Sequence, residues 1–124
     1  MKILMSIHQQ HLENIKNNIK KYEFRKVEAK KLNEKEILLY VTFPISKIVG
    51  LIKIKNIYID TPENIWKLTK KYAGINKEFY YNYYKNKAKA IAYEIEEFIE
   101  FKKPKELSEY KLKFPPQLFV YIDD

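Results

Sequence analysis

The sequence predicts a mixed α+β domain, a small β-barrel of five or six strands with two or three short flanking helices, formed by residues 1–124 as one unit. Three observations carry that expectation. A chain of 124 residues has room for one core, because each half of a divided chain would be too small to offset its own ordering entropy. The apolar residues repeat every second position through most of the chain but switch to spacings of three and four in a few short stretches. The order is strand, helix, then mostly strands, and a curled sheet that closes into a barrel protects its own edges.

The first strand is expected over Lys2–His8, where Ile3, Met5 and Ile7 alternate with Lys2, Leu4, Ser6 and His8. Leu12, Ile15 and Ile19 then line one helical face from Gln9 to Ile19, with Glu13, Asn14 and Lys16 turned to water. Asn17-Asn18 supplies a residue type that tolerates the left-handed backbone common just past a helix end, so the helix should stop there. A second strand begins at once. Tyr22 and Phe24 take one face, and Glu23 and Arg25 the other.

Residues 37–43, "ILLYVTF", form a near-continuous apolar run closed by Pro44, as in an internal strand. The strand from Ile48 to Ile59 changes apolar parity at Asn56, which predicts a bulge or bend. "DTPEN", 60–64, reads as a helix start: Asp60 or Thr61 can cap, Pro62 suits the first turn and Glu63 complements the dipole. Ile65, Trp66, Leu68, Thr69 and Tyr72 are expected as a buried stripe ended by Gly74. A second short helix is predicted from Asn76 or Lys77 to Lys87, then a long strand over Ala88–Phe101 with Ile91, Tyr93, Ile95, Ile99 and Phe101 in one parity. A last short strand follows Pro115-Pro116.

The formal charge of +8 predicts a surface that attracts polyanions and gains affinity by counterion release, which puts nucleic acid first among partner classes. All but one of the 24 cations are Lys, and a chain rich in Lys, Asn and Ile also arises from AT-rich coding sequence without any binding role. Arg25 is the only arginine, and a guanidinium makes the better bidentate contacts, so it should matter more than any one lysine. The lack of Cys excludes disulfides, thiolate catalysis and cysteine-ligated zinc. The opening "MKILMSIHQQ" has too short an apolar stretch for a signal peptide or a membrane span, so a cytoplasmic protein with no membrane contact is expected.

Two clusters qualify as candidate sites from the residues themselves. "NNIKKYEFRK", 17–26, places Lys20, Glu23 and Arg25 at a helix-to-strand junction, which is either a solvated turn or a polar site at the mouth of the barrel. Phe79, Tyr80, Tyr81, Tyr83 and Tyr84, set among Lys77, Lys85, Lys87 and Lys89, have the composition of a base-stacking platform, with Tyr80, Tyr83 and Tyr84 as the stacking candidates. The bland alternative is that several of these rings are core. His8 and His11 stand three apart without a third ligand at a suitable spacing, so no metal and no cofactor is expected. With two glycines, neither a phosphate-binding loop nor a nucleophile elbow can be built.

The order of motifs resembles the ASCH domain family, a branch of the PUA-like fold. The likeness runs through "ILMSIHQQHLENIKNNIKKYEFRK", "LLYVTFPISKIVGLIKI", "DTPENIWKLTKKYAGINKEFYYNYY", "KAIAYEI" and "PPQLFVYI". Its most specific element is similar to the family's Gly-x-Lys-x-x-Glu-x-Arg signature, here Asn18, Lys20, Glu23 and Arg25, with Asn in place of the usual Gly. Gly50 and "PPQ" also fit.

The resemblance implies a barrel with a cleft against its flanking helices that holds RNA or a nucleotide. Lys20, Glu23 and Arg25 would lie in that cleft, with Ser6, Tyr40 and Thr42 as wall residues. Family members include RNA-interaction domains, a proposed ribonuclease and an amidohydrolase of N4-acetylcytidine. Where that amidohydrolase uses Thr this chain has Glu23, and no residue near Asn76 matches its catalytic Glu. In such a cleft Arg25 would grip a phosphate with paired donors and Lys20 would add a point charge. Glu23 would read a base edge or orient Arg25. The leading expectation is therefore a module that binds single-stranded RNA or a modified nucleotide. The alternatives are a hydrolase of N-acylated nucleosides or RNA phosphodiesters with Lys20 and Glu23 catalytic, and a protein adaptor using the tyrosine-rich helix.

Overall fold

A computed structural model describes residues 2–30 and 35–122. The elements in order are β1 (Lys2–Ile7), α1 (Gln9–Lys16), β2 (Tyr22–Arg25), β3 (Glu36–Val41), β4 (Lys47–Asp60), α2 (Pro62–Thr69), α3 (Lys77–Tyr83), β5 (Ala90–Lys105) and β6 (Phe119–Ile122). The strands form one six-stranded sheet in the order β2-β5-β4-β3-β1-β6, curled into a half-barrel. β1 and β3 run parallel and the remaining neighbours antiparallel. The predicted α+β class and strand and helix numbers agree with this architecture.

Local chemistry explains most element boundaries. Asn18 takes the left-handed conformation, φ 61°, and the chain leaves α1 there. The Ile19 and Lys20 amides both donate to the Asn14 carbonyl, which folds the chain back under the helix. Thr61 caps α2 by accepting from the Asn64 amide, and Pro62 occupies the first turn. Asn76 caps α3 in the same way through the Phe79 amide.

The expected irregularity at Asn56 is present as a register shift between Ile54 and Asn56. A second shift, between Lys53 and Ile54, leaves Glu96 as an extra residue on β5. These bulges overturn the single parity expected along β5: Ile91 and Tyr93 pack on the α1 side of the sheet, whereas Ile99 and Phe101 pack on the other. Gly50 sits where β4 and β5 touch, and a Cβ there would lie 2.3 Å from the Ile99 carbonyl oxygen. In α2, Ile65 and Thr69 are buried but Leu68 faces solvent, because its position falls on the outer side of a helix covered on one face only.

The sheet is covered on both faces. Ile3, Met5, Ile37, Leu39, Val41 and Ile52 form the core against α1 with Leu12 and Ile15. Leu4, Leu38, Tyr40, Ile48, Leu51 and Ile122 form the opposite one. A third cluster seats α2 and α3 on β2 and the start of β5 through Phe24, Ile65, Tyr80, Tyr84, Ala90 and Ala92. Burial of each of these larger side chains stabilises the fold by about 1.5–3 kcal/mol. No helix among the described residues is long and apolar enough to cross a membrane.

Candidate functional site

Lys20, Glu23 and Arg25 converge at the floor of a cavity of about 620 Å³ whose wall includes Ser6, His8, His11, Thr42, Phe79 and Tyr83. Lys20 arrives there because the turn after α1 is clamped on several sides. Its neighbour Lys21 donates to the Tyr72 carbonyl and accepts from the Ile95 amide. The Asn14 side chain donates to the Gly74 carbonyl. The Lys20 amine, 2% exposed, donates to the Ala73 carbonyl at 3.0 Å and stands 3.9 Å from Glu23 Oε1 and 4.8 Å from the centre of the Phe24 ring.

Glu23 and Arg25 share one face of β2, as the alternation predicted, and Phe24 turns the other way into the helices. Arg25 Nη2 lies 3.4 Å from Glu23 Oε2 and donates to the Ser6 carbonyl at 2.9 Å. The backbone under it is fixed by Tyr84, whose one hydroxyl proton is shared between the Arg25 and Ile91 carbonyls, 2.9 and 3.2 Å away. The Ser6 hydroxyl donates to the Pro116 carbonyl at 2.6 Å, which holds the Pro115-Pro116-Gln117 segment as a further wall.

Burial by itself would raise the Glu23 carboxyl; Arg25, Lys20, His11 and the Phe24 amide together outweigh it and hold the carboxyl below its ordinary value. Burial lowers the Lys20 ammonium, with Glu23 opposing and Arg25 adding to the shift. His11 is lowered by burial and by the charge of Lys20. Two buried side-chain atoms among the described residues lack a hydrogen-bond partner, His11 Nδ1 and Arg25 Nε. Unsatisfied buried polar atoms on two residues of one cavity wall are a cost that the fold carries there.

The structure brings Ser6, Thr42, Lys20, Glu23, Arg25 and Tyr83 of the expected residues into this cavity. Tyr40 is a correction: it belongs to the core on the opposite face of the sheet, because β3 is buried on both sides and Tyr40 has the parity of Leu38. Tyr80 and Tyr84 are corrections too. Both are interior rings, Tyr80 at 0% and Tyr84 at 2% exposed, with hydroxyls committed to backbone carbonyls, so neither offers a face for stacking. His11 was not among the expected ligand contacts, and Phe79 belonged to the expected aromatic cluster but not to its three stacking candidates. Their rings meet edge to face at 6.2 Å between α1 and α3. The signal for His11 was its place one residue off the Leu12–Ile15 stripe, on the cleft side of α1.

No family model matches the chain. It is 35% identical over 86 residues to the large ribosomal subunit protein uL22 of Ureaplasma parvum serovar 3, which covers 69% of the chain and 28% of that protein. It is 28% identical over 121 residues to the ATP synthase subunit alpha of the same organism, covering 97% of the chain and 15% of that subunit. The chain thus spans little more than a quarter of the first relative's length and less of the second. Among solved structures, the ASCH protein of Zymomonas mobilis superposes with a TM-score of 0.86 at 21% identity, over 98% of this chain and 87% of that one. Mutants of it with Tyr replaced by Phe and Ser replaced by Ala match with TM-scores of 0.86 and 0.87. The half-barrel with its flanking helices is therefore the ASCH fold.

Proposed function

We propose that the chain is an ASCH-type module that binds single-stranded RNA or a modified nucleotide, with Arg25 and Lys20 on phosphate and Glu23 on a base edge. The observation that carries this reading is the meeting of the only arginine, a buried lysine and a buried carboxylate at the floor of one cavity. A guanidinium that lines the cavity supports a charge-assisted contact to phosphate, and a carboxylate held ionised can accept from an exocyclic amino group. The volume suits one nucleotide.

Fluorescence anisotropy with labelled single-stranded RNA tests it. Affinity should fall with rising salt, and Arg25→Ala should weaken binding by more than tenfold. Failure of RNA, DNA and free nucleotides alike to bind at low salt would remove the reading.

A hydrolase remains the second reading, on one observation: the amine of Lys20 is desolvated and lowered, which raises the fraction of free amine available as base or nucleophile. Incubation with mixed RNA and N-acylated nucleosides, analysed by mass spectrometry, separates the two. Product that disappears in Lys20→Met favours the hydrolase, and binding without product favours the module.

A further inference from the structure

Phe79 and Tyr83, one turn apart on α3, both line the cavity, but only one of the two rings is free to take a ligand. The Tyr83 ring is engaged: the Lys26 amine stands 4.4 Å from its centre, the Tyr84 ring meets it edge to face at 4.8 Å, and its hydroxyl donates to the Phe24 carbonyl at 3.3 Å. Among the described residues, Phe79 meets one ring, His11 at 6.2 Å, and is the one large apolar side chain that both lines the cavity and is more than half exposed, at 51%. Its backbone is held in place. The Phe79 amide donates to the Asn76 side chain at 2.7 Å, and the next residue, Tyr80, is fully buried with its hydroxyl donating to the Pro62 carbonyl at 2.7 Å. A single exposed ring is ordinary on a surface, but one fixed in a cavity wall is a preformed contact that costs a ligand little ordering.

We infer that Phe79 is the base-stacking residue of this cavity and makes the site selective for a phosphate ester that carries a planar heterocyclic base, over sugar phosphates and inorganic phosphate. The inference rests on reading the cavity as a nucleotide site. Lys20, Glu23 and Arg25 by themselves suit any phosphate ester that also offers a hydrogen-bond donor, so they cannot supply this selectivity. The apolar part of the lining can, and Ile75, Phe79 and Pro115 belong to it. A sugar phosphate would satisfy the charged floor and leave the half-exposed ring in water, whereas a base covers the ring with its own π-face. Every base has such a face, and a phenyl ring has no hydrogen-bonding group. Phe79 therefore selects for the presence of a base and leaves the reading of its edge to Glu23.

Two matched pairs of probes test it on the full chain: the ribonucleoside monophosphates against ribose 5-phosphate by calorimetry, and a labelled hexaribonucleotide against its abasic counterpart by anisotropy. In wild type the base-bearing member of each pair should bind about tenfold more tightly than the base-free one. Phe79→Ser should lower the base-bearing affinity about tenfold and leave the base-free affinity as it was, which closes the gap. Phe79→Trp should keep the wild-type affinities, and its added indole fluorescence, read over that of Trp66, should be quenched by the base-bearing probes alone. Circular dichroism should show wild-type folding in both variants, since the ring is half exposed. Base-bearing affinity unchanged in Phe79→Ser but lost in Arg25→Ala would overturn the stacking role and leave the pocket reading standing. Equal loss of both members of a pair in Phe79→Ser would make the ring a structural support and overturn the selectivity. No binding of any probe by wild type would overturn both readings.

Discussion

Arg25 reaches across the open side of the half-barrel and donates from Nη2 to the Ser6 carbonyl at 2.9 Å, joining β2 to β1 although β5, β4 and β3 lie between them in the sheet. One side chain thus fastens the curl and faces the cavity. Replacement by Met removes both the bridge and the closest counter-charge of Glu23. We expect a loss of about 3 kcal/mol in urea unfolding, the scale for breaking a buried pair at one partner. Arg25→Lys should recover only part of it, because an ammonium lacks the planar fork.

Glu23 is the one anion between two cations drawn from water. Glu23→Gln keeps the shape and leaves Lys20 and Arg25 facing each other, with an expected cost of about 3–5 kcal/mol. Lys20→Met should cost much less, since Glu23 keeps Arg25. Equal losses in the two variants, measured by chemical unfolding, would contradict this account.

Gly74 supports Lys20 from behind. It has φ +70°, and a Cβ there would fall 2.4 Å from Lys20 Cβ. Gly74→Ala should destabilise by about 1–3 kcal/mol through left-handed strain and clash, and should weaken nucleotide binding because Lys20 is displaced. Calorimetry together with the anisotropy assay reads both effects.

Stability should fall with acidity in two stages. The His11 imidazole is lowered in the fold, so below its ordinary value of 6.5 the unfolded chain binds more protons than the native one and stability drops. The Glu23 carboxyl is lowered too, so its contribution is whole above 4.5 and fades as the pH falls toward its folded value. Thermal unfolding between about pH 8 and about pH 3 follows both stages. His11→Asn should flatten the first stage and keep the second; a first stage unchanged in that variant would assign it elsewhere.

Tyr84 pins β2 to β5 with one hydroxyl. Tyr84→Phe leaves the Arg25 carbonyl short of a donor inside the fold, at an expected cost of about 1–2 kcal/mol. Hydrogen exchange of the β2 amides should quicken in that variant.

Where neighbouring residues decide, the sequence by itself determined the outcome. The left-handed stop at Asn18, the Thr61 cap, the bulge by Asn56 and the division of Tyr22 and Phe24 from Glu23 and Arg25 depend on backbone preferences and on the two-residue strand period. The strand period sets Glu23 and Arg25 side by side, whereas Lys20 joins them through contacts of the Lys20-Lys21 turn with Tyr72, Ala73 and Ile95. Tertiary structure decided the rest. Parity does not pick the cleft residues, because Ser6 has the parity of Leu4 and Thr42 that of Tyr40, both in the far core; Ser6 and Thr42 line the cleft because they sit where β1 and β3 end. In α3 the exposed Glu78 and Asn82, one turn apart, mark the outer side with Tyr80 and Tyr84 opposite them, and only the docking of the helix decided that Phe79 stands beside His11 at the cavity.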